Sequence, residues 1–125
     1  MRVLSAREVE ARLAEGERAL MASRLADARA AYHEVSAQAT LDRLTLIRVA
    51  EGLYRARDFR AALEAFRRVG TLRSGEEPYR YYIAVALYET GSYAAARREL
   101  DAALPYIEVT PDVARYQAKI EGALR

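Results

Sequence analysis

The sequence predicts an all-α protein, an α-solenoid of three helix–turn–helix units followed by a seventh, capping helix. Three observations lead there. Ala, Leu, Arg and Glu dominate the 125 residues, with only three prolines, and all four favour helix. A pattern of small and aromatic residues repeats without a gap at an offset of 34. Residues that start and stop helices fall where that pattern breaks.

Taken in chain order, Ser5-Ala6-Arg7-Glu8 has the form of a capping box, which predicts the first helix behind it. Residues 9–42 form the first repeat, with Gly16 ahead of a turn at Ser23-Arg24 and Leu25, Ala28, Tyr32 and Val35 behind it. Residues 43–76 form the second, with Val49-Ala50 and Leu53-Tyr54, a turn at Arg57-Asp58, then Phe59, Ala62, Phe66 and Val69. Residues 77–110 form the third, with Ile83-Ala84 and Leu87-Tyr88, a turn at Gly91-Ser92, then Tyr93, Ala96, Leu100 and Ala103. Gly91 suits the left-handed residue that ends a helix, and Asp58 and Ser92 are placed to cap the next one. Pro78 and Pro111 suit helix starts, with Thr110 as a cap, and Pro105 should end the sixth helix near Leu104. A last helix over about 111–124 would present Val113, Tyr116, Ile120 and Leu124 on one face and cover the exposed side of the third repeat. All of residues 1–125 are expected to form a single domain.

A 34-residue helix–turn–helix unit with these columns resembles the tetratricopeptide repeat. The likeness runs over residues 9–124 and is carried best by Ala50, Phe59, Ala62, Phe66 and by Ala84, Tyr93, Ala96, Leu100. The first unit is degenerate, with Glu15 and Arg12 where the others place apolar residues, and Arg80 departs likewise in the third. The resemblance implies a protein-interaction module that is adaptor-like or chaperone-like, not an enzyme.

Stacked repeats expose one face of each first helix in a concave groove. Helical spacing puts Leu13, Ala14, Glu17, Leu20 and Met21 there in the first repeat, and Leu44, Ile47, Arg48, Glu51, Tyr54 and Arg55 in the second. The third contributes Tyr81, Tyr82, Val85, Tyr88 and Glu89. Ile47, Tyr54, Tyr81, Tyr82, Val85 and Tyr88 would make a contiguous apolar strip, the kind of surface that marks binding. Arg48 and Arg55 are placed to meet an acidic group on a guest. Tetratricopeptide proteins that grip a C-terminal carboxylate use Lys and Asn. This chain has no Asn and a single lysine, Lys119, in its last helix. An apolar peptide or amphipathic helix is the better guest, as in the three-repeat chaperones of bacterial secretion systems, which this chain resembles in repeat number alone. The alternative is a self-association surface.

Other chemistry finds little support. Without cysteine there is neither disulfide nor thiolate chemistry. The lone histidine, His33, reads as a solvated helix residue, and no phosphate-binding or metal motif appears. No catalytic residue, cofactor, metal or small-molecule substrate is expected. Twenty basic and 18 acidic residues leave a net charge of +2. Arg60, Arg67, Arg68, Arg97 and Arg98 on second helices make a basic stripe diluted by Glu64, Glu99 and Asp101, so nucleic acid or an acidic surface such as acidic lipid is only a lesser alternative. The near-absence of lysine beside abundant arginine fits a GC-rich, bacterial-like coding sequence. The first ten residues hold no apolar run of signal-peptide length and no stretch suits a membrane span, so a cytoplasmic location is expected.

Overall fold

The structure, a computed structural model, describes residues 2–125. Among them are seven α-helices and one 3₁₀ turn, with no strand. Two compact units divide the chain, Met1–Val69 and Gly70–Arg125. The first holds α1 (Ala6–Met21), α2 (Leu25–Ser36), α3 (Arg43–Arg55) and α4 (Phe59–Val69). The second holds α5 (Glu77–Glu89), α6 (Tyr93–Ala103) and α7 (Pro111–Ala123), with a 3₁₀ turn at Leu104–Tyr106 where Pro105 stops α6.

The helix starts follow local chemistry. Ser5 Oγ accepts from the Glu8 N–H at 3.1 Å while the Glu8 carboxylate accepts from the Ser5 N–H at 3.0 Å, completing the capping box. The Asp42 carboxylate accepts from the Thr45 N–H at 2.8 Å and starts α3; that bond holds the Asp42 carboxyl below its ordinary pKa range. Thr110 does the same for Val113 at 3.2 Å, with Pro111 opening α7. Asp58 accepts from the Ala61 N–H at 3.3 Å. Ser92 departs from expectation and makes no side-chain cap. Its ψ is 70°, whereas Ser5, Asp42 and Thr110 sit at 164–168°, the extended setting that aims an N-cap oxygen at the next turn.

The three turns inside the helix pairs are one motif repeated at the 34-residue spacing. Ser23, Arg57 and Gly91 adopt φ of 58°, 63° and 91°. Each donates back across the last turn, and the next residue donates further back still: Arg24 to Ala19 O, Asp58 to Leu53 O, Ser92 to Leu87 O, at 2.8–2.9 Å. These are Schellman closures, which need a left-handed residue. Only the third uses glycine. Ser23→Gly is therefore expected to raise stability by about 0.5–1 kcal/mol, the relief of Cβ strain less the added chain entropy, and to lift the melting temperature by about 3 °C. Arg57→Gly should gain less, because Arg57 lies over the Phe59 ring at 5.1 Å.

Within each unit the core forms along facing helix stripes. In the first unit Leu13, Ala28, Val35, Val49, Ala50, Leu53 and Ala62 are wholly enclosed. In the second, Ala84, Ala86, Ala96 and Ala103 are enclosed, beside Val85, Leu100 and Ile120. Alanine recurs where two backbones come close, and each enclosed Leu, Val or Ile contributes about 1.5–3 kcal/mol. Val113, Tyr116 and Ile120 bury the inner stripe of α7, while Leu124, one residue past its end, stays 40% exposed. Buried Gln38 ties down the N-terminal segment, accepting from the Leu4 N–H at 2.8 Å and donating to Arg2 O at 3.2 Å.

A candidate interaction surface

The first-helix face of the N-terminal unit is built from α1 and α3. Arg48 of α3 donates to both oxygens of Glu10 at 2.8 and 3.1 Å and to Glu17 at 3.2 Å. That fork holds the Glu10 carboxyl below its ordinary range and raises the guanidinium further. Arg55 bonds Glu51 one turn back at 2.9 Å. Arg48 and Arg55, expected to meet an acidic group on a guest, are thus paired with acids inside the chain. Carboxylates of the same chain already neutralise them, because α1 and α3 lie side by side and the turn spacing of α3 pairs the rest. A guest acid would have to compete with those partners.

On the same helix Tyr54 is half-buried, its ring edge-on to Phe59 with centroids 6.0 Å apart. Ile47, expected on the same face, is buried at 6% exposure and belongs to the core. Leu13 is likewise sealed in the core, whereas Met21 and Leu44 are almost fully exposed.

In the C-terminal unit the expected aromatic strip on α5 is largely occupied by the chain itself. Tyr81 and Val85 are buried, and the Tyr81 hydroxyl donates to Asp112 of α7 at 2.9 Å. The Tyr88 ring meets Tyr93 at 5.4 Å and Tyr116 of α7 at 5.9 Å. The Tyr116 hydroxyl donates to Glu89 at 2.9 Å. Tyr82 is half-buried between Tyr79 and Tyr81. The strip is therefore not an open apolar surface: Ile47, Tyr81 and Val85 are core, and α7 covers part of the rest. Helical spacing gives the direction of a side chain but not what lies opposite.

One functional candidate was placed by its spacing in the packing column alone. Tyr32 of α2 is 2% exposed, and its ring lies between two mid-helix glycines. A Cβ on Gly16 of α1 would stand 2.7 Å from the ring, and one on Gly52 of α3 2.2 Å. Those missing side chains let the phenol reach a cavity of about 140 Å³ lined by Glu17, Leu20, Arg48, Glu51, Gly52 and Arg55. Burial, reinforced by Glu17, pushes the Tyr32 pKa up to about 12. The signal in the sequence was the pair of glycines inside helices, each costing up to about 1 kcal/mol unless packing requires it.

The arginines of the second helices are mostly engaged. Arg68 donates to Ser36 O at 2.7 Å and Gln38 O at 2.9 Å, closing the end of α2. Arg67 pairs with Glu64, and Arg97 with Asp101. His33 is exposed, as expected, and meets Asp58 at 2.6 Å. No helix among the described residues is long and apolar enough to cross a membrane.

No curated protein and no solved structure matched the chain. A family model described as tetratricopeptide repeat matches residues 53–120, from the end of α3 into α7. The stretch it leaves out includes the degenerate first repeat, in which Arg12 and Glu15 replace apolar residues. With more than half of its length matched, and with helix pairs closed by the same turn every 34 residues, the chain belongs to the tetratricopeptide repeat family.

Proposed function

We propose that this protein is an adaptor-like or chaperone-like module that holds a partner protein's apolar peptide or amphipathic helix against its first-helix faces, without catalysis. Family membership supports a protein-interaction repeat module. The observation that carries the finer reading is Tyr54 on α3, a half-buried ring edge-on to Phe59, on the helix whose Arg48, Glu51 and Arg55 line the cavity beside Tyr32. A tyrosine so placed offers apolar area at low entropic cost and keeps a hydroxyl for recognition. In the second unit Tyr82, Tyr88 and Glu89 of α5 are the proposed contributors, above the buried Tyr81 and Val85, and in the first unit Ile47 is core. The cytoplasm is the compartment proposed for this work.

The test is affinity capture from a lysate of the native cells, comparing the unaltered domain with Tyr54→Ala. Replacing a central aromatic anchor is expected to weaken capture at least tenfold while the helical circular dichroism signal persists. Arg97→Ala, on α6, should capture normally. Undiminished capture by Tyr54→Ala would overturn the reading. So would a stable dimer in sedimentation that buries Tyr54, which would assign the face to self-association.

A further inference from the structure

We infer that the cavity beside Tyr32 is an anchor site for one uncharged carbonyl group, such as the carboxamide of an Asn or Gln side chain on the partner. The inference rests on the first-helix face being a binding surface and names the chemistry it would select.

Four observations lead to it. Tyr32 is 2% exposed, and its hydroxyl takes no hydrogen bond from the protein among the described residues. No polar side-chain atom among them is fully sealed without a partner, so this hydroxyl opens onto the cavity. Facing the cavity and not a protein acceptor, the phenol is protonated at neutral pH and is therefore a donor, and burial raises its pKa further. Two helices each give up a side chain to bring the phenol there: the absent Cβ atoms of Gly16 and Gly52 face its ring.

The lining selects against charge. Glu17 and Glu51 stand opposite Arg48 and Arg55, already paired with them at 2.9–3.2 Å. An anionic guest meets both carboxylates and Glu10 behind Arg48. A cationic guest meets both guanidiniums and offers the phenol nothing to donate to. An uncharged carbonyl accepts from Tyr32, and its amide N–H groups can donate to the rim carboxylates. About 140 Å³ admits one short side chain and not a folded segment.

The experiment titrates propanamide into the intact protein carrying ¹³C-labelled tyrosine, and follows the Tyr32 ring signals by NMR. Propanoate and propanamidinium serve as anionic and cationic probes of the same shape. Propanamide should give a saturable shift with a dissociation constant on the order of 10 mM, as befits five heavy atoms. Tyr32→Phe, followed by the shifts of backbone amides at Gly52 and Leu20, should weaken it about fivefold. It should leave the melting temperature equal or higher, since the hydroxyl has no protein partner. Equal or tighter binding of either charged probe, unchanged binding by Tyr32→Phe, or no saturable shift would each overturn the assignment. The readout needs no protein partner. Capture that depends on Tyr54 without propanamide binding removes this anchor alone; propanamide binding without such capture removes the wider reading.

Discussion

Gly52→Ala is expected to destabilise the protein by about 3 kcal/mol, although alanine is the better helix former by about 1 kcal/mol. The added methyl would stand 2.2 Å from the Tyr32 ring, and the ring cannot retreat because Gly16 closes the other side at 2.7 Å. The sign of the effect depends on that ring. In a Tyr32→Leu background the same substitution should become neutral or stabilising, because the clash is gone and only helix propensity remains. Urea unfolding of the four proteins in this cycle measures it. A Gly52→Ala protein more stable than the parent would show that the ring does not lie between the two helices.

Tyr116→Ala should cost about 3–4 kcal/mol and act mainly on the last helix. Tyr116 is 6% exposed, its ring packs against Tyr88, and its hydroxyl holds Glu89. With Val113 and Ile120 it forms the whole buried stripe of α7. Removing the central ring should release α7 from α5 and α6, which hydrogen exchange reads as lost protection of the α7 amides. Tyr116→Phe should cost no more than about 1 kcal/mol, because it removes one hydrogen bond to a solvated carboxylate. Retained α7 protection in Tyr116→Ala would mean that Val113 and Ile120 suffice to dock the helix.

The placement of candidate residues followed how far each depended on its own helix. Phe66 and Leu100, set in their columns by the repeat, are core. Ser5, Asp58 and Thr110 act as caps because a cap needs only the next turn of the same chain. Ser92 fails as a cap through a backbone angle that composition does not reveal. The interaction face was harder to read. Ile47, Tyr81 and Val85 have the spacing of exposed groove residues, yet each is buried. Arg48 and Arg55 look available from α3 alone, but Glu10 and Glu17, some thirty to forty positions earlier, complete one ion-pair set, and Glu51 the other.

Helix count, pairing, turn positions and family all came from local chemistry repeated every 34 residues, which short-range forces write directly into the order of amino acids. Whether a given tyrosine meets water, a carboxylate or another ring was decided only when distant helices packed, because burial depends on what stands opposite. Tyr32 shows the division. Its column marked it as a packing residue, but only the approach of α1 and α3, each lacking a Cβ at the crossing, carries its hydroxyl through to the other side.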